Sequence, residues 1–250
     1  MGAGGATACA REGDEGGVPN GFQGIYLQGL NKFSINLQMS IPVYTLDSSR
    51  APTELCRLGE QSGTDKSPYN RTGHRHPYTP FYSMMLAPYK NKPIQFAEIG
   101  VAGGASVLMW SRYFSPSAQL SFYDRDQNFL NNAQNFGIPN ANFHIMDIKS
   151  PESIREGFQA TGGSFDIIVD DSTHDVWDQK ILLGDVFPFL KPGGLMIIED
   201  VFKNVDNSLY YEIIKPHLDQ LAFYGFYEME HSNKYSPGWD NDKVLMLVKN

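Results

Sequence analysis

Two apolar runs of the sequence end in carboxylates. The stretch FDIIVDDSTHD contains Asp170, Asp171 and His174, and the stretch GGLMIIEDVF contains Glu199 and Asp200. Two carboxylates about 4 Å apart repel each other by about 4 kcal/mol at an effective dielectric of about 20. A cluster of them therefore needs a proton or a cation. If the two runs are neighbouring strands, their ends predict a Mg²⁺ site with Asp171, Glu199 and Asp200 as ligands.

Acidic residues recur at the ends of five strand-like runs, IQFAEIG, QLSFYD, NFHIMD, FDIIVDD and LMIIED. In open parallel sheets, ligands bind beyond the carboxyl ends of the strands, so this series predicts a ligand site there. The acids could instead cap the following helices, which is the simpler explanation for Asp147 and Asp170. The series consists of Glu98, Asp124, Asp147, the pair Asp170 and Asp171, and the pair Glu199 and Asp200.

A glycine-rich turn, EIGVAGGAS, follows the first of these runs. Gly100, Gly103 and Gly104 would let the backbone approach a ligand closely as the chain enters a helix. The turn alone is a weak signal, because many sheets need it only for geometry, and the G-x-G-x-x-G pattern of dinucleotide sites is absent. Asp124 follows Gly104 by twenty residues, where a carboxylate can accept hydrogen bonds from a ribose diol.

The elements that must position these residues alternate between strand and helix from about residue 52 onward. This alternation predicts an α/β fold, with a mostly parallel sheet and helices on both faces. The stretch NSLYYEIIKPHLDQLAFY reads as a helix that Pro216 can kink. The last two runs, GFYEMEHS and KVLMLVK, have no helix between them, which predicts an antiparallel pair closing the sheet edge.

The length of 250 residues suits one α/β domain with a short extension. We expect a disordered leader at 1–20, an N-terminal extension of unassigned role at 21–58, and the α/β domain at 59–250. Alternating apolar residues from Phe33 to Ile41 have strand period. The extension could therefore add an edge strand, cover the domain or contact a partner chain.

The net charge of −8 argues against a nucleic-acid or membrane-surface binder, because both functions need a basic face. No apolar run approaches the roughly 20 residues of a membrane span, and the N-terminus lacks the features of a signal peptide. Cys9 and Cys56 could form one disulfide, but free thiols in a reducing compartment are the simpler expectation. Together these features predict a cytoplasmic protein.

The glycine-rich turn, the acids after the second and third strands and the closing strand pair resemble the class I S-adenosylmethionine-dependent methyltransferases. Three segments make a narrower match: GTDKS with HPYTPFY, AEIGVAGGASVLMWSRYF, and DDSTHD with FPFLKPGGLMIIED. They resemble the Mg²⁺-dependent sugar O-methyltransferases of the macrolide-tailoring type. The resemblance covers residues 59–250 and implies a Rossmann-like, seven-stranded, mostly parallel sheet with an antiparallel C-terminal strand.

The resemblance also implies cofactors and roles. The cofactors would be S-adenosylmethionine and Mg²⁺, with a sugar hydroxyl as the acceptor. His174, beside the metal ligand Asp171, would be the catalytic base. The cofactor site would be formed by Lys66, Tyr78, Glu98, Gly100, Gly103, Gly104, Ser106, Asp124, Asp147 and Asp170. Asp124 would hold the ribose and Asp147 would lie near the adenine. Lys66 and Tyr78 would close the cofactor pocket or become ordered with the substrate, unless they are simply a solvated lysine and a packed tyrosine. Asp170 could replace Asp171 as the metal ligand if its strand ended one residue earlier.

Several alternatives remain open on the sequence. The acceptor could be a small molecule of the catechol type, although the resembling pattern there has Asp-Asn in place of Glu199 and Asp200. A nicotinamide-dependent oxidoreductase fits the acid cluster poorly, and a non-catalytic methyltransferase-like domain would leave the acids unexplained. Macrolide-tailoring enzymes often form oligomers through N-terminal segments, so a homo-oligomer is a further expectation.

Aromatic residues of the C-terminal part could stack against a sugar ring or pack in the core. Trp239 is the strongest candidate for stacking, because it lies in the turn-rich stretch SPGWDND. The other candidates are Tyr210, Tyr211, Tyr224, Tyr227 and Tyr235.

Overall fold

An eight-stranded sheet organises residues 40–250, the part of the chain that this computed structural model describes. The strand order is β1-β7-β8-β6-β5-β2-β3-β4, and all neighbours are parallel except that β8 runs antiparallel to β6 and β7. The strands are β1 Val43–Asp47, β2 Gln95–Ile99, β3 Gln119–Asp124, β4 Ala141–Ile145, β5 Phe165–Asp170, β6 Leu190–Ile198, β7 Leu221–Glu230 and β8 Lys243–Lys249.

This architecture confirms the α/β Rossmann-like fold with an antiparallel C-terminal strand. Seven strands, β2 to β8, correspond to the predicted sheet, and β1 adds an eighth by pairing parallel to β7. The antiparallel pair of β7 and β8 is present, but it does not close the sheet edge, because β1 lies beyond β7. The strands expected to be neighbours, β5 and β6, pair in parallel.

Helices cover both faces of the sheet, and each face has its own apolar core. Successive residues of the central strands point to opposite faces, so Ile168 packs in one core while Ile167 and Val169 pack in the other. Strands buried on both faces read as continuous apolar runs, which is why these were recognisable in the sequence. The helices are α1 Glu54–Ser62, α2 Tyr78–Leu86, α3 Ala105–Tyr113, α4 Gln127–Gln134, α5 Pro151–Ala160, α6 Val176–Val186 and α7 Asn207–Ile214.

Helix boundaries follow from capping residues. The Thr53 hydroxyl accepts a hydrogen bond from the backbone of Cys56 at the start of α1, and Gly63 ends that helix in the left-handed conformation. The Asp175 carboxylate accepts from the first turn of α6 in the same way. Asp175 therefore has a structural role, and the acids that precede it in DDSTHD need another explanation.

The helix expected over NSLYYEIIKPHLDQLAFY is only half as long as predicted. Helix α7 ends at Ile214, a 3₁₀ segment covers Lys215–Gln220, and β7 begins at Leu221. Pro216 lacks the N–H that an α-helix needs, so it ends the helix instead of kinking it. The following LAFY segment then pairs with β8.

The N-terminal expectations are only partly within the described residues. The predicted leader at 1–20 and the alternating residues from Phe33 to Met39 lie outside them, as does Cys9. Strand β1 falls in the expected extension, and the expected boundary between residues 58 and 59 falls inside α1. Cys56 is a buried free thiol. None of the helices within residues 40–250 is long and apolar enough to cross a membrane.

Candidate active site

A cavity of about 780 Å³ opens at the carboxyl ends of β2, β3, β4 and β5. Its lining comes from the loops after these four strands and from the segment 63–74, which lies between α1 and α2 in the sequence. The predicted residues that line it are Gly100, Gly103, Ser106, Asp124, Asp171 and His174. The position agrees with the general rule for ligand sites in open parallel sheets.

The glycine-rich loop is held close to the neighbouring strand ends. Gly100 has φ of +91°, and a Cβ there would overlap the carbonyl oxygen of Asp171. One oxygen of Asp124, Oδ2, accepts hydrogen bonds from the backbone N–H groups of Val101 (2.9 Å) and Ala102 (3.3 Å). Asp124 therefore organises the loop as well as lining the cavity, a second role that its spacing did not reveal.

Glu98 lies beneath this loop and is completely buried. It accepts hydrogen bonds from the Ser106 hydroxyl (2.8 Å) and the Trp110 indole (3.0 Å), so it fixes the start of α3 against the sheet. Burial raises the pKa of Glu98. Gly104 is the left-handed residue that precedes α3, and it does not line the cavity. Glu98 and Gly104 thus shape the loop from below.

A buried lysine lies among the acids at the end of β5 and β6. Lys66, only 2% exposed, donates hydrogen bonds to both Asp171 and Glu199, and its Nζ lies 3.6 Å from Oε1 of Glu98. Although burial opposes its charge, Asp171 and Glu199 hold the pKa of Lys66 well above its usual value. Lys66 does not line the cavity, where the resemblance had placed it, and instead acts as a counter-ion to the acids.

The acids around Lys66 have raised pKa values. Burial raises the pKa of Glu199 to about 7, although Lys66 opposes the shift, and it raises the pKa of Asp171 well above its usual range. The Tyr82 hydroxyl donates a further hydrogen bond to Glu199. Lys66 supplies one positive charge for the three acids Glu98, Asp171 and Glu199, which leaves room for a proton or a second cation.

Asp200 lies close to both Asp171 and His174. Its Oδ1 accepts hydrogen bonds from the Tyr78 hydroxyl (2.9 Å) and the Asn241 amide (2.8 Å), while its Oδ2 lies 3.6 Å from Nε2 of His174. Asp171, His174 and Asp200 each offer one ligand atom within 4.8 Å of the others. Tyr78 thus orients Asp200 and is buried away from the cavity lining.

His174 has the properties of a proton acceptor. Burial lowers its pKa, so the imidazole is neutral at neutral pH. Its Nδ1 is buried and has no hydrogen-bond partner among residues 40–250. Within the same residues, three non-glycine residues have positive φ, and all three lie in loops at this edge of the sheet: Ala102, His174 and Asp200. Backbone strain of this kind is concentrated at functional sites.

Two further predicted cofactor residues, Asp147 and Asp170, are also absent from the cavity lining. Asp147 is exposed and accepts a hydrogen bond from the backbone N–H of Lys149 in the turn before α5, but it does not cap that helix, because Ser150 is the capping residue. Asp170 is buried, accepts hydrogen bonds from Ser172 through Oδ1, and has no partner for Oδ2 among the described residues. Burial raises the pKa of Asp170 to about 6. Asp171, on the opposite side of the strand, is the one that reaches the cavity.

Several lining residues were not anticipated from the sequence. Apolar side chains flank Asp147 at the end of β4, and Phe129 and Arg125 follow Asp124. Their position immediately beside the predicted acids was the signal that could have found them. The group consists of Arg125, Phe129, Met146 and Ile148, with His74 from the opposite wall.

Strand order, glycine loop and cavity together define the class I methyltransferase architecture. Residues 97–201 match the family described as "Methyltransferase domain". This match supports the predicted resemblance to the class I S-adenosylmethionine-dependent methyltransferases.

Among curated proteins, the chain is 31% identical over 133 residues to the 8-demethyl-8-alpha-L-rhamnosyl tetracenomycin-C 2'-O-methyltransferase of Streptomyces olivaceus, covering 50% of this chain and 33% of that protein. It is 29% identical over 137 residues to the mycinamicin VI 2''-O-methyltransferase of Micromonospora griseorubida, covering 52% of this chain and 33% of that protein. The chain thus spans about a third of the length of these relatives.

The fold is similar to that of the MycE methyltransferase from the mycinamycin biosynthetic pathway, solved in complex with Mg and SAH. The TM-score is 0.61 at 22% identity, and the similarity covers 81% of this chain and 56% of that one. At this identity the similarity establishes the fold.

Proposed function

We propose that the protein transfers a methyl group from S-adenosylmethionine to a hydroxyl group of a sugar or glycoside. The observation that carries this proposal is that the cavity and the cluster of Asp171, His174 and Asp200 share two residues. The cavity expected to hold the cofactor ends at Asp171 and His174, which also belong to the cluster with Asp200. A hydroxyl bound at that cluster would lie beside the reactive end of a cofactor in the cavity.

The relatives support a sugar acceptor. The names of the two curated relatives describe a 2'-O-methyltransferase of a rhamnosyl tetracenomycin and a 2''-O-methyltransferase of mycinamicin VI. A second structure of MycE, with TM-score 0.59, contains Mg, SAH and mycinamycin VI. The acceptor proposed here is therefore a small-molecule glycoside or a glycan.

The cofactor would occupy the cavity with its ribose near Asp124. That carboxylate already holds the glycine-rich loop through one oxygen, and it lines the cavity. Gly100 and Gly103 leave the loop backbone open to the methionine part, while the apolar Met146 and Ile148 suit the adenine. When bound, S-adenosylmethionine supplies an electrophilic methyl group on a sulfonium.

The residues present also fit a magnesium ion. Asp171 and Asp200 provide carboxylate oxygens, which are the ligands that Mg²⁺ prefers. Burial, together with the neighbouring acids Glu199 and Asp200, raises the pKa of Asp171, and a bound cation would oppose that shift. Glu199, the third predicted ligand, is one residue from Asp200 and hydrogen-bonds to Lys66. Bound Mg²⁺ would lower the pKa of the acceptor hydroxyl and fix its direction.

His174 is the proposed general base. Its lowered pKa keeps the imidazole neutral, and Asp200 at 3.6 Å can stabilise the imidazolium that forms when His174 accepts the hydroxyl proton. The rate should therefore fall as pH decreases through a value below 6.5, where His174 becomes protonated, and remain level above it.

A ligand-dependent melt tests the cofactor. S-adenosylhomocysteine at 100 times its dissociation constant should stabilise the protein by roughly 2.7 kcal/mol, or about 5–10 °C, whereas NAD should have no effect. Absence of a shift with S-adenosylhomocysteine would refute the cofactor assignment.

Methyl transfer tests the acceptor and the metal. A glycoside and a catechol should be compared, each with Mg²⁺ and with EDTA, and we expect transfer to the glycoside only with Mg²⁺. His174→Ala should lower the rate by about 10²–10⁴-fold. Transfer that survives Asp171→Asn at saturating Mg²⁺ would disprove the metal role.

A further inference from the structure

One large aromatic side chain is exposed beside the cavity. Trp239 is 47% exposed. Its ring centroid lies 5.5 Å from that of His74 and 6.3 Å from that of the proposed base His174. Both histidines line the cavity, so Trp239 lies beside the part of the cavity wall that carries the proposed base. The core of the protein does not explain why an indole should be left in solvent there.

The loop that carries Trp239 is held in place. The backbones of Arg75 and Tyr235 exchange two hydrogen bonds of 2.8 and 3.0 Å, which ties the loop to the segment before α2. Asp242 at the other end of the loop bonds to His76 Nδ1 at 2.9 Å. An anchored aromatic ring is a better binding surface than a mobile one, because less conformational entropy is lost when a ligand is bound.

The other aromatic candidates pack in the cores or against another side chain. Tyr210 and Tyr211 are buried in the core. Tyr224 and Tyr227 are partly buried against the two cores. Tyr235 is exposed, but the Arg75 guanidinium lies over its ring, 5.0 Å from the centroid. Trp239 is therefore the member of the predicted set that combines exposure with proximity to His174.

We propose that the ring of Trp239, which lies at 85° to that of His74, forms a stacking surface for the pyranose ring of the acceptor. A pyranose has an apolar face of C–H groups and a polar rim of hydroxyl groups. Trp239 suits the face, while His174 and Asp171 suit a hydroxyl on the rim. This inference rests on the proposed function, because it places the acceptor of that reaction.

Kinetics with two substitutions test the surface. In the enzyme with Mg²⁺, Trp239→Ala should raise KM for a glycoside acceptor about tenfold or more and leave KM for S-adenosylmethionine unchanged. Trp239→Phe should recover most of the loss, because it keeps an aromatic face. Trp177→Ala is the matched control, since Trp177 is 56% exposed but its ring, unlike that of Trp239, is not paired with His74 or His174. An acceptor KM within twofold of wild type in Trp239→Ala would overturn the proposal.

A binding measurement separates this inference from the proposed function, since it needs no turnover. In Trp177→Phe, Trp239 is the exposed tryptophan and Trp110 is buried. Titration of this variant with methyl α-L-rhamnopyranoside, with S-adenosylhomocysteine and Mg²⁺ bound, should change the indole emission saturably. The change should disappear in Trp177→Phe/Trp239→Phe. If the glycoside is not methylated but this signal is present, the stacking surface stands and the reaction must be revised; no signal refutes the surface.

Discussion

The two halves of the site lie on one sheet edge but are stabilised in opposite ways. At the ends of β2 to β4, backbone groups and apolar side chains surround an open cavity, and Asp124 uses its charge on backbone N–H groups. At the ends of β5 and β6, buried acids crowd around one lysine. The first half depends on space and backbone conformation, and the second depends on charge balance. Substitutions should therefore affect them differently.

The largest expected effect is on the charged half. Lys66→Met leaves Glu98, Asp171 and Glu199 without their cation, which should cost roughly 3–5 kcal/mol of unfolding free energy. Because the folded-state pKa values of these acids would then rise further above the unfolded ones, stability should be highest at low pH and be lost as pH rises. Denaturant unfolding from pH 5 to 8 measures both effects.

The matched control for that prediction is Lys90→Met. Lys90 contacts Glu54 on the surface, where ion pairs contribute only about 0–1 kcal/mol. Added Mg²⁺ should restore part of the stability lost in Lys66→Met and should not change Lys90→Met. Equal destabilisation of the two variants would contradict a counter-ion role for Lys66.

The next largest expected effect is the loss of stability when a side chain is added to the glycine-rich loop beside the cavity. Gly100→Ala places a methyl group against the Asp171 carbonyl and forces a non-glycine residue to φ of +91°, so we expect a loss of roughly 3 kcal/mol. Gly103→Ala is the control, because nothing lies within 4 Å of a Cβ there. Thermal melts of both variants should differ by several degrees, and similar melting temperatures would show that the loop is not constrained by close approach.

A smaller effect should follow from Asp124→Asn. The amide oxygen can still accept from the backbone N–H groups of Val101 and Ala102, but the charge is lost and the amide NH₂ cannot accept from the N–H of Asp126. We expect affinity for S-adenosylhomocysteine to fall about tenfold, or roughly 1.4 kcal/mol, by calorimetry. Asp147→Asn, at an exposed acid outside the cavity, should bind normally. Equal losses in both variants would remove the distinction between these two acids.

The smallest expected effect is a change of Mg²⁺ affinity with pH at the acids that end β5 and β6. Metal ligands must be deprotonated, and burial raises the pKa of Glu199 to about 7. Mg²⁺ affinity should therefore fall about twofold from pH 8 to pH 7 as Glu199 takes up a proton. Calorimetric titrations of wild type and Glu199→Gln would test this, and an affinity that falls equally in both would assign the linkage to another group.

The sequence was informative where the determinants are local. Apolar runs, caps and turns predicted the alternation of β2 to β6 with helices, and the acids predicted the edge of the sheet at which the cavity opens. The length of α7 was predicted wrongly, because pairing with β8 competes with helix propensity in LAFY.

The position of Lys66 among the acids could not be predicted from the local sequence pattern. Its contacts with Asp171 and Glu199 cross 105 and 133 residues of sequence, and a lone lysine carries no periodic signal. The roles of Asp147 and Asp170 depended on side-chain direction at a strand end, which changes with a shift of one residue.

The burial of Lys66 also has a consequence for chemical labelling. Amine-acylating reagents need an accessible, unprotonated nitrogen, and Lys66 Nζ is both enclosed and held protonated by its acid neighbours. Exposed lysines such as Lys149 would react while Lys66 remains unmodified in the folded protein. The extent of acylation at Lys66, read by peptide mass spectrometry, would therefore report how often this half of the site opens.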